Sequence, residues 1–178
     1  MEEFITILLD ETAEIVEKKS RFIANICHID TVEEAEEKLK TIKKKFYDAK
    51  HNCVAYRVVE NGKVIEKSSD DGEPSGTAGA PMLNILQKNN LCNILVVVTR
   101  YFGGILLGTG GLVRAYSDAT QKGIENCIKV QKVDGIEIEI VLDYANLEIF
   151  KYYCKNNDIN ITKVEYGENI ILKIEMEK

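Results

Sequence analysis

The alternation of apolar and polar residues predicts a β-rich first half of the chain. Residues 53–67 predict a hairpin, because Asn61-Gly62 accepts the positive φ angles of a type I′ turn. Residues 93–99 (NILVVVT) are apolar at successive positions, which predicts a central strand covered on both faces. Further strands are predicted at residues 4–9, 14–19 and 21–29, the last two joined by a tight connection.

Apolar residues at helical spacing predict three helices between and after these strands. Thr31 and Glu34 form a capping-box signature, so a helix is expected to begin there. Pro81 is suited to the first turn of a second helix, and an apolar stripe beginning at Leu112 predicts a third. The expected helix ends are about Phe46, Asn89 and Cys127.

A domain boundary is predicted near Asp134-Gly135, where a new alternating pattern begins. The residues that follow predict a βαββ module, with strands at 136–142, 159–166 and 169–176 and a helix at about 144–156. We therefore predict two domains, residues 1–133 and 134–178. About forty residues are marginal for an independent core, so the second module is expected to pack on the first, pair with another copy or be incomplete.

Composition restricts the classes of protein that the chain can belong to. A hydrophobic fraction of 45% with 29% charged residues is typical of a soluble globular protein, and no apolar run is long enough to span a membrane. The acidic start of the chain is unlike a signal peptide. Five cysteines without a CxxC pair predict reduced thiols in the cytoplasm, and we expect neither a disulfide, a metal site nor a cofactor. The net charge of −6 argues against an extended nucleic-acid-binding surface but permits a local basic patch.

Residues 96–116 (VVVTRYFGGILLGTGGLVRAY) combine a predicted strand, five glycines and a helix start. The spacing fits neither the dinucleotide-binding fingerprint nor the P-loop, which requires Lys-Ser or Lys-Thr after its last glycine. A generic anion site remains open, because helix-start amides near Gly110 and Gly111 would be free to donate. Arg114 would oppose the helix dipole unless an anion lay there, and the alternative is that Arg114 is a solvated surface residue.

A second unusual segment, SSDDGEPSGTAGAP, places three carboxylates within four positions, at Asp70, Asp71 and Glu73. They could hold a cation, act as acid and base, or cap turns and pair with arginines. We expect Arg100 to pair with one of them, and the loops 70–80 and 100–111 to be neighbours.

Four stretches of the chain carry a resemblance to a known family. KKSRFIA, AKHNCVAY, SDDGEPSGTAGAPML and VVVTRYFGGILLGTGGLVRAY resemble the IMPACT/YigZ family, uncharacterised protein family 29, and the match spans about residues 15–130. The resemblance implies an α+β fold. Its first domain is a two-layer α/β sandwich similar to domain IV of elongation factor G. Its second is a ferredoxin-like module, βαββαβ in the family, of which this chain contains βαββ.

The resemblance also implies a translation-linked regulatory protein whose partner is RNA, the ribosome or a translation-associated protein. A basic face around Lys18, Lys19, Arg21, Arg100 and Arg114 would favour RNA. We expect the apolar segment between the glycines, residues 105–107, to pack into the core; the alternative is that it docks on a partner. We expect no membrane partner. Self-association through the C-terminal module is possible. The candidate ligand-binding residues are Asp70, Asp71, Glu73, Ser75, Thr77, Arg100, Tyr101, Gly103, Gly104, Gly108, Thr109, Gly110, Gly111 and Arg114.

Two alternatives to RNA or ribosome binding remain open. The first is an enzyme acting on a phosphorylated small molecule, with Asp71 or Glu73 as base and Arg100 and Arg114 holding the phosphate. The second is a protein-interaction module that makes no contact with nucleic acid. No catalytic residue is assigned.

Overall fold

A five-stranded antiparallel sheet is the centre of the first part of the chain. Its strand order is β2-β3-β6-β4-β5, so β6 lies in the middle. The computed structural model describes residues 3–177, and the chain divides into one unit at Glu3–Lys132 and a second that starts at Val133. The strands are β2 (Glu11–Glu17), β3 (Ser20–His28), β4 (His51–Glu60), β5 (Lys63–Ser69) and β6 (Ile94–Tyr101).

Helices cover both faces of this sheet. Helices α2 (Gly79–Lys88) and α3 (Gly108–Asn126) pack on one face, and α1 (Val32–Lys45) packs on the other. In β6, Val96 and Val98 belong to the α2–α3 core while Leu95 and Val97 belong to the α1 core. The prediction of a central strand buried on both faces is therefore confirmed. The predicted α+β class is also confirmed, with α1 adding a layer on the second face.

Helix α3 begins at Gly108, four residues before the predicted start at Leu112. Three glycines in its first turn lower the intrinsic helix propensity, so the sequence pattern conceals this turn. The turn forms because Leu107 and Leu112 are both buried in the core and hold it from either side.

Of two short strands that pair with each other, the sequence predicted only the first. Strand β1 (Glu3–Ile7) pairs with β7 (Lys129–Val133) in a two-stranded sheet. Strand β7 carries no clear alternation, because four of its five residues are exposed, and its pairing depends on the position of β1.

The second unit has the predicted βαββ order. A 3-10 turn at Tyr144–Asn146 leads into its helix, and β10 lies between β8 and β9 in an antiparallel sheet. Buried Leu147, Ile170 and Leu172 form its core. The elements are β8 (Gly135–Leu142), α4 (Leu147–Asn156), β9 (Asn160–Tyr166) and β10 (Ile170–Glu177).

Two features relevant to function are absent from residues 3–177. No helix there is long and apolar enough to cross a bilayer. No group of three or more histidine, cysteine or acidic side chains is placed to hold a metal ion.

None of the five cysteines forms a disulfide and all five are buried, which generates a prediction about their reactivity. Burial raises the pKa of Cys27 and of Cys53 to about 12 and that of Cys127 to about 11. Because the thiolate is the nucleophile, the folded protein should react slowly with iodoacetamide at about pH 8. After unfolding without reductant, all five thiols should titrate. Rapid labelling of the folded protein, fewer than five thiols, or stoichiometric zinc by elemental analysis would contradict this prediction.

Candidate functional site

The two unusual loops meet at a buried ion pair. We call residues 70–78, between β5 and α2, the acidic loop, and residues 102–107, between β6 and α3, the glycine loop. Arg100, at the end of β6, donates from Nη1 to Glu73 Oε1 of the acidic loop at 2.7 Å. Their side chains are 8% and 4% exposed. The expected pairing of Arg100 with a carboxylate and the expected proximity of the loops are therefore observed.

Tyr116 of α3 completes this buried cluster. Its hydroxyl donates to the same Glu73 oxygen at 2.8 Å. Burial raises the pKa of Tyr116 far above its ordinary value, so the hydroxyl remains a donor. Phe22 contacts the Tyr116 ring edge-on, and its own ring lies 5.5 Å from the Arg100 guanidinium carbon. The acidic loop, β6 and α3 thus share one polar contact enclosed by aromatic rings.

Asp70 organises the acidic loop from within. Its carboxylate accepts hydrogen bonds from the backbone N–H groups of Gly76, Ala78 and Gly79 at 2.8–3.0 Å. Burial acts to raise the pKa of Asp70, but these three donors outweigh burial and hold that pKa below its ordinary value. Asp70 therefore caps α2, although it precedes that helix by nine residues.

Asp71 joins the acidic loop to β4 and α1. One carboxylate oxygen accepts from the Asn52 backbone N–H at 2.7 Å, and the other accepts from the Lys43 ammonium at 2.9 Å. Thr77 is buried and donates to the carbonyl oxygen of Pro74, whereas Ser75 is exposed. All three carboxylates of the acidic loop are therefore engaged in contacts that shape the loop.

The glycine loop is fixed against the turn between β2 and β3. A Cβ atom on Gly103 would lie 2.0 Å from the backbone carbonyl carbon of Lys19, so only glycine fits there. The Gly103 N–H donates to Ser20 Oγ at 3.1 Å. Gly104 and Gly108 have φ angles of 84° and 75°, in the region where other residues are strained. Backbone geometry therefore accounts for glycine at these three positions.

The apolar segment between the glycines is mostly exposed. Leu106 is 82% exposed, and Phe102 and Ile105 also face solvent, whereas Leu107 is buried. The expectation that residues 105–107 pack into the core is right for Leu107 and wrong for Ile105 and Leu106. The loop connects β6 to α3 in only six residues, so it is too short to turn back into the core. Only Leu107, next to the helix, contacts the core.

The basic residues that would favour RNA do not form one face. Arg100 is buried, so it takes no part in a solvent-facing surface. Arg114 is exposed and lies in the second turn of α3, not in the first as the later predicted start implied. It lines a cleft of about 140 Å³ with Lys18 and Gly111, and two acidic residues, Glu17 and Asp118, line the same cleft. Among residues 3–177, no carboxylate oxygen lies within 4 Å of the charged groups of Lys18 or Arg114.

The beginning of α3 supplies exposed backbone donors beside this cleft. The helix has no side-chain N-cap and no acidic residue in its first turn. Thr109 and Gly110 are exposed, and a Cβ on Gly110 would meet nothing within 4 Å. The amides at the start of α3, Lys18 and Arg114 therefore supply donors at the edge of the glycine loop, beside the carboxylates of Glu17 and Asp118.

Tyr101 lies on the opposite face of the sheet from Arg100. Its hydroxyl donates to Asp48 at 2.7 Å, in the connection between α1 and β4. The Arg21 guanidinium carbon lies 5.7 Å from the centre of its ring, and Arg21 also pairs with Glu14. Tyr116 and Asp48 were not predicted to take part, because a tyrosine within an apolar helical stripe and a lone loop aspartate carry no distinctive sequence signal.

The buried ion pair should show strong energetic coupling in a double-mutant cycle. Glu73→Gln leaves Arg100 without a counter-ion, so it should lower the free energy of unfolding by about 3 kcal/mol or more. Adding Arg100→Met removes the stranded charge, while the new amide oxygen still accepts from Tyr116. The double variant should therefore cost at least about 2 kcal/mol less than the sum of the singles in urea denaturation.

The exposed pair Arg21–Glu14 is the matched control, with an N–O distance of 2.7 Å as well. Its cycle, Glu14→Gln with Arg21→Met, should show no measurable coupling, because exposed ion pairs are screened by water. Equal coupling in the two cycles would show that burial does not strengthen the Glu73–Arg100 contact.

The cap formed by Asp70 should give a pH-dependent contribution to stability. Since its pKa is lowered in the folded state, its stabilisation is present above the unfolded pKa near 4 and is lost as pH falls through the folded pKa. Asp70→Asn should lower the free energy of unfolding by about 1–2 kcal/mol at neutral pH. The difference in free energy of unfolding between Asp70→Asn and wild type should become smaller in acid, where Asp70 of the wild-type protein is protonated. Asp134→Asn removes the same charge from an exposed position and should have little effect; equal effects of the two substitutions would contradict the assignment.

Sequence and structure comparisons agree with this architecture. A family model described as the Impact N-terminal domain matches residues 18–124, and a domain of unknown function, DUF1949, matches residues 140–178. The IMPACT family member YvyE of Bacillus subtilis is 42% identical over 157 residues, 88% of this chain and 72% of YvyE. The family member YigZ of Escherichia coli is 36% identical over 158 residues, 88% of this chain and 78% of YigZ.

A solved structure extends the likeness to both units of the chain. The crystal structure of a hypothetical protein, 34% identical, aligns with 99% of this chain and 86% of its own at a TM-score of 0.71. The family model covers more than half of the chain, and both curated relatives exceed 30% identity over most of it. The chain therefore belongs to the IMPACT family.

Proposed function

We propose that this chain is a translation-linked regulatory protein that acts by binding rather than by catalysis. Its partner is a component of the translation apparatus: RNA, the ribosome or a translation-associated protein. The recognition surface consists of the exposed part of the glycine loop, the amides at the start of α3, and the adjoining Lys18 and Arg114.

The observation that carries this proposal is the exposure of Leu106 on a loop whose backbone is fixed. Large apolar side chains that face solvent side by side mark interaction sites more often than chance exposure does. Phe102, Ile105 and Leu106 form such a group within five residues. Gly103 packs directly on the Lys19 backbone, so the loop is ordered before a partner arrives and loses little entropy on binding.

Charge next to the loop indicates what the partner must present. Lys18, Arg114 and the amides at the start of α3 can donate to phosphate or carboxylate groups beside an apolar contact. Glu17 and Asp118 line the same cleft, so the partner must place its anionic groups at the two cations and away from these carboxylates. Ribosomal RNA and acidic faces of ribosome-associated proteins both present such groups. Membership of the IMPACT family, which the sequence resemblance links to translation, favours this class of partner.

The contacts of the acidic loop favour binding over the enzymatic alternative. A general base needs a carboxylate that can reach a substrate proton. Glu73 is enclosed with Arg100 and Tyr116, and Asp71 holds Asn52 and Lys43. The role that these contacts support is to position the glycine loop.

Leu106→Ser should reduce co-sedimentation with salt-washed ribosomes by about tenfold, because an exposed apolar anchor is lost from the centre of the surface. Arg114→Gln should weaken association less, and its effect should fade as salt rises. The matched control is Leu9→Ser, an exposed leucine in the connection between β1 and β2. Wild-type behaviour of Leu106→Ser, or no association of the wild-type protein with ribosomes, their RNA or translation factors at low salt, would overturn the proposal.

A further inference from the structure

We propose that the carboxyl-terminal end of α1 is a second binding surface, and that it takes single-stranded nucleic acid. We call it the lysine end; it consists of Lys40, Lys43, Lys44, Lys45, Tyr47 and Lys50. Its lysines would contact phosphates, and the Tyr47 ring would stack on an unpaired base. This surface is separate from the glycine loop and does not depend on the function proposed for that loop.

The first argument is uncompensated charge. Residues 40–50 contain five lysines and a single carboxylate, Asp48, in a chain whose net charge is −6. Asp48 accepts a hydrogen bond from Tyr101, and Lys43 pairs with Asp71. Within the described residues, no carboxylate oxygen lies within 4 Å of the remaining four ammonium groups.

Helix electrostatics account for only part of this cluster. Lys43, Lys44 and Lys45 occupy the last turn of α1, where cations interact favourably with the helix dipole. Lys40 lies a turn earlier and Lys50 follows the helix, so neither is placed by that effect. The opposing acidic residues lie at the other end, where Glu33 and Glu34 occupy the first turn. The charges of α1 are thus segregated, and its carboxyl-terminal end is strongly positive.

The second argument is the exposure of Tyr47. Its side chain is 85% exposed, the highest value among the large hydrophobic side chains of the described residues. It lines an open cavity of about 650 Å³ with Leu39, Lys40, Lys43 and Lys44. Glu36 also lines this cavity, and its carboxylate pairs with the Lys67 ammonium at 2.6 Å. Proteins bind single strands with exposed aromatic rings beside cationic side chains, and here the Tyr47 ring lies beside Lys40 and Lys44, neither of which has a carboxylate partner in the part of the chain that the structure describes.

The third argument excludes other polyanions. A helix that binds a membrane surface needs an apolar face free for the lipid, but Ala35 and Ile42 of α1 are buried against the sheet. A duplex keeps its bases stacked and paired, so it would leave the Tyr47 ring without a partner. A flexible single strand can place its phosphates against the lysines and stack an unpaired base on the Tyr47 ring.

The test measures binding of a fluorescein-labelled oligouridylate of about 12 nucleotides by anisotropy, a length within the usual site size of single-strand binders. Four unpaired lysines predict a slope of log affinity against log salt of about −3, at about −0.7 per phosphate contact. Lys40→Gln, Lys44→Gln and Lys45→Gln combined should reduce the slope to about −1 and lower affinity at low salt by at least about tenfold.

Tyr47 is tested separately from the charges. Tyr47→Ala should lower affinity by about tenfold without changing the salt slope, because stacking releases no counter-ion. Tyr47→Phe retains a ring that can stack and should bind like wild type. The matched charge control combines Lys63→Gln, Lys88→Gln and Lys132→Gln, three exposed lysines outside α1, and should keep the wild-type slope.

Several outcomes would overturn the inference. They are equal loss of binding in the two triple variants, wild-type affinity in Tyr47→Ala, and no binding of the oligonucleotide at about 20 mM salt, where electrostatic attraction is strongest. Binding to phosphatidylserine vesicles without binding to the oligonucleotide would also overturn the inference. Thermal melting of each variant establishes that it is folded. Leu106→Ser should bind the oligonucleotide normally, so failure of this inference is distinguishable from failure of the proposed function.

Discussion

The arrangement of the first unit depends on the buried contact among Glu73, Arg100 and Tyr116. Removing two opposite charges from water is costly, and the cost is offset only when their geometry is good and further polar partners are present. Here the Tyr116 hydroxyl supplies such a partner, and Phe22 closes the cluster. The contact joins a loop, the central strand and a helix that are distant in sequence. It therefore fixes the point from which the glycine loop leaves the sheet.

This use of charge determines which groups remain for recognition. The carboxylates of the acidic loop and Arg100 are engaged internally, so they cannot also meet a partner without weakening the fold. Three apolar side chains face solvent at the glycine loop: Phe102, Ile105 and Leu106. Beside them lie the start of α3 and a cleft lined by both cations and carboxylates, Lys18, Arg114, Glu17 and Asp118. A loop organised in this way presents a defined shape, which is the property that specific binding requires.

The sequence predicted the elements whose pattern repeats, and it failed where one contact decides the outcome. Alternation of apolar and polar residues located the strands, because one face of each strand is buried. A continuous apolar run identified β6 as buried on both faces. The first turn of α3 was missed because glycines conceal helical spacing. The pairing of Arg100 with a carboxylate was predicted, but the burial of the pair was not, because burial depends on the packing of Tyr116 and Phe22 around it. The exposed ring of Tyr47 was not predicted, because the apolar stripe of α1 ends at Phe46 and no sequence pattern marks a single exposed aromatic residue.

The two proposed surfaces lie at the same end of the sheet and on opposite faces. Strand β4 begins where β6 ends, with His51 opposite Arg100, so the connection from α1 and the glycine loop flank one edge. Tyr101 stands between them, bonded to Asp48 and beside Arg21. Apolar contacts of the glycine loop would be weakened little by salt, whereas contacts of Lys18, Arg114 and the lysine end with phosphates would be screened. A ligand that spans both would therefore lose its nucleic-acid contacts first as salt rises, leaving the apolar contact as the part of the association that persists.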